Sequence, residues 1–232
     1  MSLHLKTLEV KIYETQIDFR MYKKFLKPVF DFVAAVIALI ILSPLLIIGM
    51  ILAAVSARGN PFFVHERPGY REHLIKVVKL KTMRDGLTQD GELLPNLERI
   101  TPIGKFLRTT SLDEIPQLVN VLKGELSLVG PRPLEVWYLP HYSAEQSRRH
   151  HVRPGITGLA QVSGRNRLSW EEKFKLDVQY VDEMSFLLDV KILFKTVLKV
   201  FNTSEVYSDS SANTMDAFVE MPPDMSEIKN LK

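Results

Sequence analysis

The dominant pattern in the chain is an apolar run from Phe32 to Val55, FVAAVIALIILSPLLIIGMILAAV, with no charged residue in it. As a straight helix this run would extend about 36 Å at about 1.5 Å per residue. That is enough to cross a hydrocarbon core of about 30 Å. Its late start, its length and the lack of an Ala-x-Ala site argue against a cleavable signal peptide. Ser43-Pro44 stands at its middle. Proline removes a backbone donor and clashes with the preceding turn, and a serine beside it can satisfy a freed carbonyl. Arg20, Lys23, Lys24 and Lys27 precede the run, and Arg58, Arg67, Arg71, Lys76, Lys79 and Lys81 follow it. Orientation by positive charge wants basic residues on one side only. A helix broken at Ser43-Pro44 that enters and leaves by one leaflet satisfies both flanks. A spanning helix kinked at Pro44 is the alternative, and the residue pattern leaves both open.

A second apolar pattern, SFLLDVKILFKTVLKVF over residues 185–201, is of another kind. Lys191, Lys195 and Lys199 recur every four residues and form one polar stripe on a mostly aliphatic helix. Such a helix suits the headgroup plane of a membrane, with a soluble core helix as the competing reading. Residues 1–28 read as a polar, partly amphipathic helix. The short runs PFFVHE and LIKVVKLKTM predict strands. Turn residues in 84–100 predict a mobile loop. A helix is expected from about Asp113 to Lys123, closed by Gly124. Pro131 and Pro133 force extended chain. The segment HHVRPGITGLAQVSGRN reads as a loop, and the polar tail from Thr203 as mobile.

Composition narrows the chemistry. The chain holds 46% hydrophobic and 25% charged residues, so it can bury a core. With no cysteine, disulfides, thiolate metal sites and cysteine nucleophiles are excluded. A net charge of +3 gives no basis for a nucleic-acid partner.

The candidate chemistry centres on Asp113-Glu114 in SLDEIP. Either Ser111 and Glu114 form a capping box, or Asp113 is itself the cap and Pro116 falls harmlessly in the first turn. Both readings place the carboxylates at the positive end of a helix dipole, which favours their ionised forms. Acidic residues at helix starts are commonly caps and nothing more. The surrounding cations change that balance: Arg108 lies close in sequence, with Lys79, Lys81 and Arg132 in neighbouring ordered segments. Arg148, Arg149, Arg153 and Arg165 cluster around glycine-containing chain. Arginines with such backbone hold phosphates. Two carboxylates among many cations suit a magnesium-assisted phosphate site, because Mg2+ takes few carboxylates plus substrate oxygens. No zinc-spaced histidine pair, serine elbow or Walker-type phosphate loop is present.

Two long blocks, GKFLRTTSLDEIPQLVNVLKGELSLVGPRP and VRPGITGLAQVSGRN, resemble the bacterial sugar transferases, the monotopic phosphoglycosyl transferases. The resemblance runs from about Tyr22 to Phe201. It implies a mainly helical α+β fold: a monotopic membrane protein with a broken re-entrant helix over residues 29–57 and interfacial amphipathic helices. The other expected units are the N-terminal helix 1–28, a catalytic domain over 58–202 and the tail 203–232. The implied reaction passes a sugar 1-phosphate from a UDP-sugar to a polyprenol (undecaprenyl) phosphate, with release of UMP. In that reading Asp113 matches the nucleophile and Glu114 the carboxylate associated with Mg2+, with Asp113 beside it. Lys79, Arg108 and Arg132 match basic positions near the phosphates, and Arg153 and Arg165 are further phosphate-binding candidates. Ser43-Pro44 matches the break in the re-entrant helix. The implied location is the bacterial inner membrane with the catalytic domain facing the cytoplasm, and downstream glycosyltransferases are further expected partners. Where the family often has Gln-x-Arg, this chain has His65-Glu66-Arg67.

Overall fold

The computed structural model describes residues 21–86, 96–164 and 167–201. Expectations placed on residues 1–20, on 87–95, on Arg165 and on the tail beyond 201 fall outside the described residues. A π-helical turn, Tyr22–Leu26, runs directly into α1, Lys27–Ala57. This helix is long and apolar enough to cross a membrane by length and composition. Ile37, Ile40, Ile41, Leu45, Ile48 and Val55 are all exposed along it, a surface built for contact with lipid. Its inward stripe runs through Asp31, Ala35, Gly49 and Ala53, which are buried.

The helix continues without interruption through Pro44, so the expected break is not a break in the backbone. The reason lies beside it. Ser43 Oγ donates to the Ile40 carbonyl at 2.8 Å. That carbonyl, four residues before Pro44, is the one the proline cannot serve.

Both ends of α1 are packed on the same domain. Near its start, Asp31 accepts from Ser127 Oγ at 2.7 Å and from the Leu128 amide at 3.3 Å. Near its end, Ala53 is fully buried in a cluster with Leu80 and Leu107. A Cβ on Gly49 would stand 2.9 Å from Leu80, so the small residue sets how closely α1 approaches.

The domain begins with an antiparallel hairpin as expected, β1 Phe62–Pro68 and β2 Leu74–Leu80, with Phe63 opposite Lys79 and His65 opposite Val77. The ends of the segment expected to be a loop are pinned, with Met83 bridging Ile100 and the Arg84 amide bonded to the Arg99 carbonyl. Helix α2, Pro102–Thr109, is capped by Thr101, whose hydroxyl accepts from the Gly104 amide at 2.9 Å. A Cβ on Gly104 would lie 1.8 Å from the Thr82 carbonyl oxygen, so only glycine lets α2 dock there. A 3-10 turn over Leu112–Glu114 leads to α3, Gln117–Leu122, and Gly124 at φ +73° ends that segment as expected.

Strand β3, Ser127–Val129, pairs in parallel with β4, Gly155–Thr157, and α4, Leu159–Ser163, follows. The loop expected over HHVRPGITGLAQVSGRN therefore holds a short strand and a short helix. Its glycines permit this by close approach: a Cβ on Gly155 would meet the Gly130 amide at 2.1 Å. Helix α5, Trp170–Glu183, opens with a Ser169–Glu172 capping box. Helix α6, Phe186–Phe201, matches the predicted second apolar helix. Phe186, Leu187, Val190, Phe194, Val197 and Leu198 are exposed on it, while Ile192 is buried in the core with Leu118, Val129, Tyr180 and Val181. The described fold is thus mainly helical, with two two-stranded sheets.

One buried polar cluster, not expected from the sequence, ties the base of α1 to α5 and α6. The Asp189 carboxylate is fully buried and accepts from Tyr22 and Lys27 at 2.5 Å each and from Tyr180 at 2.7 Å. Lys27 also lies 3.7 Å from Asp31.

Candidate active site

Between the hairpin, the 3-10 turn and α1 lies a cavity of about 960 Å3. Lys79, Lys81, Arg108, Asp113, Glu114 and Arg132 all line it, so the predicted dyad and the predicted cations of these segments do converge. Three local features bring them together. Asn120, fully buried, accepts from the Val78 amide at 3.2 Å and donates to the Lys76 carbonyl at 2.7 Å. Its amide thus bonds β2 as a neighbouring strand would, and fixes α3 against it. Ser111, at φ 57°, turns the chain sharply ahead of Leu112–Glu114. That left-handed backbone is uncommon for serine and stores strain at the site. Arg108 Nε donates to Thr82 Oγ1 at 2.8 Å, which holds the guanidinium at the cavity wall.

Neither expected cap is formed. Ser111 makes no side-chain cap bond, and the α-helix starts only at Gln117, after Pro116. Asp113 and Glu114 instead occupy a tight turn ahead of the helix, where their side chains are released from capping.

The two carboxylates live in different surroundings. Glu114 Oε1 accepts from Lys79 at 2.8 Å and from Arg132 at 3.1 Å. Burial alone would raise its pKa, but the charges of Arg132 and Lys79 and their hydrogen bonds hold it at about 2. Asp113 is 8% exposed, and none of the hydrogen bonds among the described residues reaches its carboxylate. Burial, then the Glu114 charge, push it up to about 6, against the pull of Lys79, Arg108 and Arg132. The cations favour the ionised form, as expected from the sequence, but desolvation, which the sequence did not signal, outweighs them. Asp113 remains mostly ionised at pH 7, with a basicity well above that of a salt-bridged aspartate.

No cluster of three or more acidic or histidine ligands occurs among the described residues. The donor set nevertheless fits a hard ion that takes substrate oxygens as its other ligands: the unpaired Asp113 carboxylate and the oxygen of Glu114 not engaged by cations.

The family model for bacterial sugar transferases matches residues 22–203. The chain belongs to that family. It is 47% identical over 193 residues to an uncharacterized sugar transferase, EpsL, of Bacillus subtilis, covering 83% of this chain and 95% of that one. It is 38% identical to the undecaprenyl-phosphate galactose phosphotransferase of Salmonella typhimurium, covering 79% of this chain but 42% of that longer protein. It is also 34% identical to the UDP-glucose:undecaprenyl-phosphate glucose-1-phosphate transferase of Caulobacter vibrioides, over 78% of this chain and 72% of that one. The transferase is accordingly an enzyme, of the phosphoglycosyl transferase kind.

Not every predicted site residue of the transferase reaches the cavity. Arg153 is absent from its walls; its guanidinium lies over Gly124, about 3.7 Å from where a Cβ there would stand. It faces the carbonyl end of α3, where a cation is favoured, so its sequence cluster has a structural explanation. Arg148 pairs with Glu145 and Asp182 on the surface. Arg149 does line the cavity, but it is held by Asp177 at 2.7 Å with both side chains buried. Arg165 lies outside the described residues.

Sequence reasoning missed Asn120, Asp177 and Glu135. Glu135 lies 2.5 Å from Arg67 and 3.0 Å from His65. Its partners are about seventy positions away, so no local pattern marks it. The one available signal was its place directly after the Pro131–Pro133 segment, which carries Arg132 to the dyad.

Proposed function

We propose that this transferase moves a sugar 1-phosphate from a UDP-sugar to undecaprenyl phosphate through a covalent intermediate on Asp113. The observation that carries this reading is the contrast within the dyad: Glu114 is paired through Oε1 with Lys79 and Arg132, while Asp113 is nearly buried, unpaired and unusually basic. The names of the relatives, a galactose phosphotransferase and a glucose-1-phosphate transferase acting on undecaprenyl phosphate, agree with it.

In the first half-reaction an ionised Asp113 oxygen bonds to the sugar-bearing phosphorus, and the bond from that phosphorus to the bridging oxygen breaks. UMP leaves with the electron pair. In the second, a phosphate oxygen of undecaprenyl phosphate bonds to the same phosphorus and the Asp113 carboxylate departs. Lys79, Arg108 and Arg132 offset the repulsion between a carboxylate and a diphosphate. Asp113 and Glu114 would hold Mg2+, which supplies Lewis-acid stabilisation of phosphoryl oxygens when bound.

The same reading places α1 in one leaflet, with both of its ends and the catalytic domain on the cytoplasmic side of the inner membrane. Support comes from the packing of both ends on one domain, through Asp31 with Ser127 and Ala53 with Leu80. Basic flanks on both sides agree with it. A helix standing across the bilayer would draw one of those contacts, with its charged neighbours, into hydrocarbon.

Purified transferase tests the reaction. With a UDP-sugar and undecaprenyl phosphate it should release UMP and form a lipid diphosphate-sugar, and EDTA should abolish both. Release of inorganic phosphate from lipid diphosphates, without UMP, would establish a phosphatase instead.

A further inference from the structure

The hairpin wall of the cavity carries a group of side chains that the phosphate chemistry does not use. Phe63, His65 and Arg67 alternate along β1 and so share one face, and all three line the cavity. Phe63 stands opposite Lys79 in the hairpin register, which places this face next to the dyad. Glu135 holds Arg67 at 2.5 Å and His65 Nε2 at 3.0 Å. Arg67 Nη2 also lies 3.0 Å from His65 Nδ1. An arginine can only donate, so His65 Nδ1 accepts and its proton sits on Nε2, facing Glu135. Histidine 65 is thereby neutral, with both nitrogens spent inside the group. It offers the cavity a ring, packed edge-on against Phe63 at 5.5 Å. Arg67 keeps donors beyond those bonds, while its charge is matched by Glu135.

A wall with no net charge, fixed donors and an aromatic surface suits an uncharged polyol with an apolar C–H face, and is poor for a diphosphate. The order of the two half-reactions points the same way. Undecaprenyl phosphate attacks opposite the Asp113 bond, from the side that UMP has vacated, so nucleotide and lipid phosphate use one region in turn. The sugar stays on the phosphorus through both steps and needs a separate wall. The cavity is also lined by Leu42 of α1 and Thr196 of α6, the helices that carry the exposed apolar surfaces.

We propose that Phe63, His65 and Arg67 form the subsite that selects the transferred sugar, with Glu135 as the residue that positions them. This rests on the transferase reading above. It also gives the His65-Glu66-Arg67 departure a role: the ring of His65 shapes the wall where a flexible amide would otherwise stand.

The test is UMP release by wild type, His65→Gln, Arg67→Lys and Glu135→Gln with UDP-glucose, UDP-galactose, UDP-N-acetylglucosamine and UDP-N-acetylgalactosamine. The subsite predicts that the ratios of kcat/KM among these sugars change by about tenfold or more in at least His65→Gln and Arg67→Lys. Inhibition by UMP and the KM for undecaprenyl phosphate should stay within about twofold of wild type. A uniform loss across all four sugars would overturn the proposal in favour of a structural role. Weakened UMP inhibition with unchanged sugar ratios would overturn it in favour of the nucleoside. Wild-type protein that released no UMP from any UDP-sugar would instead remove the transferase reading itself.

Discussion

Two groups of buried carboxylates in this protein have opposite fates. At the base of α1, Asp189 accepts from Tyr22, Lys27 and Tyr180, while Asp31 accepts from Ser127 and the Leu128 amide. In the cavity, Glu114 is equally well supplied by Lys79 and Arg132, but its neighbour Asp113 has no hydrogen bond among the described residues. The first group is closed and acts as a clamp between the membrane helix, α5 and α6. The second is left half-satisfied, at a cost to the fold, beside an open cavity. The lesson is that burial and charge do not separate a structural acid from a reactive one; the unfilled bonding capacity does.

Breaking the open group should have the largest effect on chemistry. Asp113→Asn keeps the shape and removes the charge, and turnover should fall by about 1,000-fold or more, read as UMP release. The same change should stabilise the fold. Because the folded pKa of Asp113 is raised to about 6, its ionised form is disfavoured by folding. That penalty is absent below the ordinary aspartate range and complete above about pH 6. Asparagine should therefore gain about 1–3 kcal/mol near neutral pH, and the gain should vanish in acid. Thermal unfolding in detergent at the two pH values measures it.

Breaking the closed group should do the reverse. Asp189→Ala takes the 2.5 Å acceptor from Tyr22 and leaves Lys27 the more distant Asp31 at 3.7 Å, while Tyr180 keeps the Val129 carbonyl, and it should cost about 3 kcal/mol of stability. The rate of UMP release per folded molecule should be nearly preserved, because no atom of this group faces the cavity. An Asp189→Ala protein as stable as wild type would show that the clamp is not one.

A smaller effect sharpens the comparison within the dyad. The first half-reaction needs ionised Asp113, so its rate should fall as pH drops through about 6, approaching tenfold per unit below that. Glu114, held at about 2, stays ionised over this window and adds no second step. Rapid-quench measurement of UMP formation between about pH 5 and pH 8 gives the profile.

How much of this was legible in the sequence follows the range of the interactions. The apolar run of α1, the alternating strands and the stripe of α6 are local patterns, and each is found where it was read; the SLDEIP dyad is local too, but it sits in a 3-10 turn and not at the start of the α-helix. The serine repair of Pro44 was local too, and is realised through Ile40. The Asp189 clamp was not legible, because Lys27 and Asp189 are 162 positions apart. Its trace was present all the same: a lone acid on the helix of the lysine stripe, and a Lys27–Asp31 pair at the start of an apolar one. Arg153 shows the complementary case. It clusters with phosphate-type arginines along the chain, while the fold turns it to the carbonyl end of α3. The desolvation of Asp113 depends on α1 and the hairpin closing over it, which no local pattern encodes.

The central claim is the bond to Asp113, and mass spectrometry of protein incubated with Mg2+ and a UDP-sugar alone tests it most directly. A phosphosugar adduct on the peptide containing Asp113, formed with one equivalent of UMP and discharged by undecaprenyl phosphate, is the predicted result. UMP that appears only when undecaprenyl phosphate is present, with no adduct on that peptide, would contradict it and establish direct transfer between the two substrates.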